Sequence, residues 1–578
     1  MIVSELDPAK VLAAYAWLLR SAAGAGRIAE EYMKKKLSRP KPSSSQSPAW
    51  VESPPLQIMV LLFLVCAAYS NSLGGGFHFD DQAIFLDTDI MSSGFGWRIL
   101  RFMQTRPLTF LTFHWNYLAS GVAPFGFHAV NIVLHAANTI LVLLIARLHL
   151  RGSLALLAAA IFAVHPLQTQ AINYVFERAT LLAAFFALLS LLFFVRENYA
   201  WAVAAFGLSM LAKEETIALP AVLLLYDFVF RRRIRWGFYA SMSGLAALAT
   251  VRLFYVLQKM PEAKLGFGKG IPGILYALTQ CRVVWVYLRL FFFPAGLNLD
   301  HHIELSQGPA TPLVTLPALF LLVLLIGVLG WLTWRRTVPA FWALGFFVLL
   351  APSSSVVPVV DLMFEHRTYF PLACFTIAAA CLVDQWHWSL RVWALVVLVA
   401  ALLAGTIARN GVWHDERSLW TDVIEKSPGK ARGYFLLGQA FASQDPARAR
   451  QLYERGLAIE QNPLGETNLG LLLMAQNDLE GALVHLRQAL HSDGRNALIW
   501  NNVGAVELRR GHLEDGIKAL RTALEIDPCR FDARMNLMRA LSVVKQRDNA
   551  VLAGLVPATC HQLPEQARQL ADEQKSLR

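Results

Sequence analysis

The sequence predicts an all-α protein in two parts, a polytopic membrane helix bundle followed by a tetratricopeptide-repeat α-solenoid. Three observations carry that expectation. Apolar runs long enough to cross a bilayer recur between residues 56 and 408. Basic residues gather at the ends of those runs. Beyond Thr406 the chain becomes charged and rich in Ala and Leu, and it repeats with a period of 34 residues, from Gly470 to Gly504. Composition agrees: 56% of the 578 residues are hydrophobic and 16% charged, with a mean hydropathy of +0.43. That is too apolar for a soluble enzyme and too interrupted by charge for a simple anchor.

Residues 1–37 alternate Ala, Leu, Tyr and Trp with Arg, Glu and Lys at helical spacing, without the apolar core and small-residue cleavage site of a signal peptide. They predict a cytoplasmic amphipathic helix suited to a membrane surface. Residues 38–55, "SRPKPSSSQSPAWVESPP", read as a flexible linker, because Pro and Ser at that density build no core. The membrane domain follows over 56–409. Crossings are expected near 56–73, 126–147, 152–167, 179–195, 199–213, 215–230, 237–257, 312–333, 338–354, 368–384 and 389–408, about eleven in all. With the amino terminus inside, "ARLHLRGS", Arg196, "RRRIR", "WRR" and Arg391 fall on the cytoplasmic side, as the positive-inside rule requires. The segment 275–297 is also apolar, but as a crossing it would move "WRR" outside. It is therefore expected to be re-entrant or interfacial, with Arg282 and Arg289 on its polar side.

Residues 410–548 read as three to four repeats, each a helix-turn-helix unit that buries its apolar face by stacking on a neighbour. The 34-residue frame also aligns Leu486 with Leu520, Ala489 with Ala523, and Asp478 with His512. An earlier repeat surrounds Tyr434, Leu437, Gly438 and Tyr453. "WNNVG" at Trp500–Gly504 opens the third, "FDARMNLMRAL" is a degenerate fourth or cap, and 549–578 form a tail. An odd number of crossings places the repeats outside.

The formal net charge of +11 is a topology signal, since no basic face with an aromatic or helical reading element accompanies it; no nucleic-acid partner is expected. Of the six cysteines, Cys66, Cys281, Cys374 and Cys381 lie in apolar segments and Cys529 and Cys560 in the tail, with no metal-ligand spacing among them. The tail pair fits either a disulfide in an oxidising compartment or two separate thiols.

Asp80 and Asp81, in "GGGFHFDDQAIFLD", stand at the exit of the first crossing. Carboxylates there fit a solvated loop or the cap of a short helix begun by "QAIFL". A functional site is the alternative, because the long loop that follows carries interleaved aromatics and the polar cluster "RPLTFLTFHWNY". Further polar residues recur at the outer ends of later crossings: His165 and the stretch Gln170 to Arg178, then Lys213 with Glu214 and Glu215, then Asp300, His301 and His302, then Asp361, Glu365, His366 and Arg367. Helix ends anchored in headgroups would explain each alone; their convergence on one side favours a shared cavity. His128, Asn131, His135 and Asn138 form one stripe of the second crossing, which must face protein. Interhelical hydrogen bonding accounts for it better than a metal pair, since no carboxylate or Cys shares the face.

The ordered blocks "FHFDDQAI", "RPLTFLTFHWNY", "GFHAVNIVLHAANTILV", "FAVHPLQTQAINYVFERATLLA", "LAKEETIALPAVLLLYD", "LNLDHH", "PSSSVVPVVDLMFEHRTYFPL" and "WHDERSLWTDVIEKSP", followed by repeats, resemble the transmembrane and tetratricopeptide-repeat O-mannosyltransferases and their bacterial relatives over residues 56–545. The resemblance implies the type C glycosyltransferase membrane fold. It also implies a sugar donor carried on a polyprenyl phosphate or diphosphate, and a protein Ser/Thr hydroxyl as acceptor, held by the repeats. On that reading Asp80 or Asp81 is the catalytic base, with Asp80 preferred. Arg367, with Arg106 and Lys213 behind it, binds the donor phosphate. His165, Glu214, Asp300, His301, Glu365 and His366 support the outer cluster. No metal or other cofactor is required, although a divalent ion is used by oligosaccharyltransferases of the same broad fold. Gln168 and Gln170 depart from the His and Glu that relatives often have, which bears on the sugar and on acceptor handling. The short repeat array implies a bacterial inner-membrane protein with periplasmic repeats. A non-enzymatic membrane scaffold, and a transferase acting on lipid A or an envelope glycan, are the competing readings.

Overall fold

The computed structural model describes residues 52–85, 106–231, 233–259, 271–307, 314–383, 391–544 and, toward the carboxyl end, 549–550, 553–557, 560 and 564–577. The expected amphipathic helix over 1–37 and the linker through residue 51 lie outside the described residues. Among the described residues every regular element is a helix. Along the chain they are α1 (Pro54–Tyr69), α2 (Asp80–Phe85), α3 (Pro107–Ser120), α4 (Pro124–Ala146), α5 (Gly152–Val164), α6 (Thr169–Asn173), α7 (Arg178–Val195), α8 (Tyr199–Ala212), α9 (Leu219–Tyr226), α10 (Trp236–Lys259), α11 (Gly273–Phe292), α12 (Thr315–Trp334), α13 (Val338–Leu350), α14 (Tyr369–Val383) and α15 (Arg391–Val412). The rest are α16 (Glu416–Lys426), α17 (Ala431–Phe441), α18 (Pro446–Ile459), α19 (Pro463–Ala475), α20 (Leu479–Ser492), α21 (Ala497–Arg509), α22 (Leu513–Ile526), α23 (Phe531–Val543) and α24 (Pro564–Leu577).

The chain divides into two compact units. Among the described residues, the first holds those of 52–77, 106–297 and 303–411; the second holds those of 78–85, 298–302 and 412–577.

Among the described residues of the first unit, eight helical segments are long and apolar enough to cross a membrane, or nine with the bent pair Gly152–Val164 and Pro166–Asn173 taken as one span; α8 and α13 are shorter apolar helices. Proline occupies the first turn of α1, α3, α4 and α13, where its missing N–H costs nothing. Before Pro166 the same residue type ends α5: His165 is extended (φ −75°, ψ 126°), and the chain turns by 50° into the next short helices. Ala155, Ala158, Ala159 and Ala163 are fully buried, so α5 lies close against α1, α4 and α14.

The stripe on α4 bonds to neighbouring segments of the bundle. Asn131 Nδ2 donates to Ile172 O, Asn138 Nδ2 to Leu181 O, and the His135 ring lies 2.8 Å from Tyr369 Oη and 3.0 Å from Ala163 O.

Two expectations about the crossings change. The segment expected to be re-entrant is α11, one unbroken helix of 20 residues that qualifies as a span. Its cations do not need an interruption, because Arg282 donates to Glu304 O and Ser306 Oγ and Arg289 to Ala295 O, in the chain that follows. The crossing expected at 215–230, in turn, is one continuous helical run that changes pitch, from a tight turn (Glu214–Ala218) through the eight-residue α9 to a wide turn (Asp227–Arg231) in which buried Asp227 accepts from Tyr239 Oη. The long outer loop likewise contains α3, which the sequence reading left unassigned.

The second unit is built from helix pairs α17–α18, α19–α20 and α21–α22, with α16 before them and α23 and α24 after. Asp415, Asp445, Asn462, Asp478 and Asn496 each accept a backbone N–H at the start of a helix, fixing where the elements begin. The periodic glycines mark close helix crossings. A Cβ on Gly470 would sit 2.9 Å from Leu486 Cγ, and one on Gly504 2.7 Å from Leu520 Cγ. Cys529 and Cys560 form a disulfide, with their Cα atoms 5.2 Å apart.

Candidate functional site

Phe77-His78-Phe79-Asp80-Asp81 turns sharply, with Phe79 in the left-handed region (φ 53°), and α2 begins at Asp80. The two acids then part company. Asp81 is fully buried and its Oδ2 accepts the His78 N–H at 3.1 Å, whereas Asp80 is exposed. The His78 ring is fully buried, with Glu416 Oε1 at 2.9 Å from Nδ1 and Trp413 O at 2.7 Å from Nε2. Acceptors at both ring nitrogens favour the doubly protonated imidazolium. Burial alone would lower its pKa, but the Glu416 hydrogen bond and charge, aided by Asp81, raise it above the usual imidazole value. Trp420 Nε1 donates to the other Glu416 oxygen, and Arg432 lies over the Phe79 ring.

Asp300 and His301 belong to this same unit. Asp300 is buried between Lys430 and Arg432, whose Nε is 2.8 Å from Oδ2. Burial would raise the carboxyl pKa, but these two cations hold it below its ordinary value. Asn298 Nδ2 and the His302 N–H both donate to or contact Ser427 Oγ, at 2.8 and 3.0 Å.

The other predicted residues lie in the first unit. A cavity of about 340 Å³, open space included, is lined by Lys213, Arg367, Glu215, Thr180, Thr216 and Ser353, with Leu349 and Phe370 on its wall. Leu349 and Phe370 also line a second cavity of about 270 Å³, whose walls are apolar and include Leu188, Leu191, Trp342 and Cys374. Lys213 Nζ is 2.9 Å from Glu177 Oε2, 3.3 Å from Glu215 Oε1 and 2.8 Å from Thr180 Oγ1. Arg367 is held by neutral oxygens, donating to Asp361 O at 2.7 Å and Leu362 O at 3.3 Å. Lys213 thus shares its charge with two carboxylates, while Arg367 is fixed in place by main-chain carbonyls. His366 Nε2 is 3.3 Å from Glu177 Oε1, and its backbone N–H donates to Gln170 Oε1. Glu365 is buried in the same tight turn.

Arg106 and Glu214 pair with each other at 3.0 Å; burial would raise the Glu214 pKa, but this pairing, aided by Lys213, holds it below the usual carboxylate range. His165 spends both ring nitrogens on packing, accepting from Leu167 N at 3.1 Å and lying 2.9 Å from Phe291 O. Among the described residues, Glu507, His512 and Asp515 could together hold a cation, but Glu507 is already paired with Arg510 and Arg487.

Sequence reasoning placed Glu177 and Arg178 among the outer polar residues but gave neither a role, and it missed Glu416, which holds His78. Glu177 links Lys213 to His366. Arg178 Nε and Nη2 donate to Asn131 and Asn116 and so tie α3 to α4 and α7. A charged pair, Glu177-Arg178, at the start of an apolar helix was the available signal, since such residues must find partners.

No family model matches the chain. It is 31% identical over 517 residues to protein O-mannosyl-transferase TMTC3 of Mus musculus, covering 84% of this chain and 52% of that protein. Protein O-mannosyl-transferase F38B6.6 of Caenorhabditis elegans is 25% identical over 419 residues, 66% of this chain and 59% of its own length. Tmtc3 of Drosophila melanogaster, likewise named a protein O-mannosyl-transferase, is 27% identical over 85% of this chain and 57% of its own. The chain therefore spans between half and three-fifths of the length of these relatives. Among solved structures, the one named for Pseudomonas aeruginosa pilF is similar at 17% identity with a TM-score of 0.25, over 32% of this chain and 86% of that one, too low to carry an argument. By sequence, the chain is a homologue of proteins named protein O-mannosyl-transferases of the TMTC family.

Proposed function

We propose that the protein is an integral-membrane glycosyltransferase that moves a sugar, on the relatives' names a mannose, from a polyprenyl-phosphate-linked donor to a Ser or Thr hydroxyl of a protein. The observation that carries this reading is the pair of cavities in the first unit. A compartment bearing Lys213, Arg367, Glu215 and three hydroxyls meets an apolar compartment across Leu349 and Phe370. That is the polarity of a phosphate joined to a hydrocarbon chain.

Asp80, the exposed acid, takes the acceptor proton as the hydroxyl oxygen attacks the anomeric carbon. The bond from that carbon to the phosphate oxygen breaks, and the phosphate leaves with the electron pair. Arg367 and Lys213 stabilise its charge. Asp81 acts differently: its carboxylate holds the turn that presents Asp80. Side chains supply the leaving-group charge, so the reaction calls for no metal. Arg106, paired with Glu214, orders the neighbourhood of Lys213. The repeats receive the acceptor. We place the amino terminus in the cytoplasm and the repeats on the opposite, periplasm-like side.

Native mass spectrometry tests the donor site. Wild-type protein is expected to retain added polyprenyl phosphate after gentle removal of detergent, and Arg367→Gln to lose it. Equal retention by both would remove the basis for the reading.

A further inference from the structure

Asn468, Asn502 and Asn536 follow one another at intervals of 34 residues, and Asn468 and Asn502 each stand two residues before a repeat glycine, Gly470 and Gly504. They lie on α19, α21 and α23, the first helices of the second, third and fourth repeats. These helices pack on one another in sequence, so the three asparagines form a row along one side of the solenoid. Asn536 Nδ2 donates to Asn501 Oδ1 at 3.0 Å, and Asn501 Nδ2 reaches Asn502 Oδ1 at 3.4 Å. The Nδ2 atoms of Asn468 and Asn502, by contrast, are buried without a hydrogen-bond partner among the described residues, and Asn502 is only 7% exposed. A buried amide N–H without an acceptor has lost its water and gained nothing in return. Leucine, which stands at the matching place of the first repeat as Leu436, would avoid that cost.

One helical turn before the first two asparagines lie Leu464 and Leu498, 45% and 41% exposed. Residues four apart share a helix face, so each amide has an apolar neighbour on its own side.

We infer that this row binds the main chain of an extended polypeptide segment, with Leu464 and Leu498 seating apolar side chains of that segment. A carboxamide offers a donor and an acceptor together, the complement of a peptide group, and so reads backbone without regard to sequence. A peptide carbonyl supplies the acceptor that the Asn468 and Asn502 N–H groups lack. Packed helices are about 8–10 Å apart and an extended chain rises about 3.3 Å per residue, so each repeat spans about three residues of ligand. The ligand is an unfolded stretch of acceptor protein, and this assignment rests on the reading that the repeats receive the acceptor.

The test uses the full-length protein in nanodiscs without donor. The probe is fluorescein-labelled, reduced and carboxymethylated lactalbumin, followed by 12-residue peptides tiled from it. The Asn468→Ala/Asn502→Ala/Asn536→Ala variant is expected to bind about tenfold or more weakly than wild type, with an unchanged melting profile. N-methylation of alternate peptide bonds in the best peptide is expected to do the same, and shuffling its sequence to cost little. Leu464→Ser/Leu498→Ser is expected to weaken only peptides that carry apolar residues. Should the triple variant not fold, Asn468→Ala and Asn536→Ala, at half-buried positions, carry the test singly, each weakening binding about threefold. Binding within twofold of wild type in the folded variants, indifference to N-methylation, or no binding of the probe by wild type would overturn the inference. If the row binds peptide as described but no sugar is ever transferred, the inference stands and the transferase reading falls. Transfer that survives loss of the row sinks the inference alone.

Discussion

Asp80 and Asp81 are adjacent in sequence and indistinguishable by residue type, yet burial separates them. Asp81 accepts the His78 N–H from inside the turn, and Asp80 is exposed. Asp80→Asn is expected to lower kcat by about 10²–10⁴-fold. Asp81→Asn keeps an oxygen facing the His78 N–H and is expected to retain most activity, whereas Asp81→Ala leaves that N–H unpaired and destabilises the turn by about 1–3 kcal/mol. Initial rates and hydrogen exchange over residues 78–85 check both. A larger loss from Asp81→Asn than from Asp80→Asn would reverse the assignment. His78 adds a pH dependence. Its pKa is raised in the folded protein, so its stabilising contribution is complete below the unfolded value of about 6.5 and is lost as pH rises through the higher folded value. Protection of the turn, corrected for the intrinsic exchange rate, is expected to fall across that interval in wild type and to stay flat in Glu416→Gln. A flat wild-type profile would deny His78 that role.

At the level of elements, α11 and the repeat glycines make separate demands. If α11 spans, cysteines introduced at Ile271 and Gln307 in a cysteine-free background react with an impermeant maleimide from opposite sides of oriented vesicles. Labelling from one side would restore the re-entrant geometry. The periodic repeat was legible because its glycines answer to a local necessity: a Cβ on Gly504 collides with Leu520. Gly504→Ala is expected to cost about 1–3 kcal/mol in the unfolding of the repeats, measured by denaturant titration. The character of α11 was not legible, since counting it as a crossing moved "WRR" outside, and the carbonyls that receive Arg282 and Arg289, in residues 295–304, are not visible in the sequence. The changes of helical pitch within 215–230 were hidden because hydropathy registers apolar residues and not the tight turn at Glu214–Ala218 or the wide one at Asp227–Arg231.

For the molecule as a whole, hydropathy and period were enough to divide it into a helix bundle and a solenoid, because burial in lipid and burial between repeats leave different patterns along a chain. The sequence order did not reveal that residues 78–85 and 298–302, flanked on both sides by bundle sequence, group with the repeats. Those placements depend on His78–Glu416 and Asp300–Arg432, pairs separated by 338 and 132 residues. Of the candidate cations, Arg367 and Lys213 share a cavity while Arg106 pairs with Glu214, a distinction that rests on which partners each one meets. The central claim is the transfer itself. Purified protein in nanodiscs, given polyprenyl-phosphate mannose and a Ser/Thr-containing peptide, is expected to yield peptide heavier by one hexose on a hydroxyl, as read by mass spectrometry. The Asp80→Asn protein is expected to yield almost none. Unmodified peptide with wild type, or equal modification by the variant, would contradict the account.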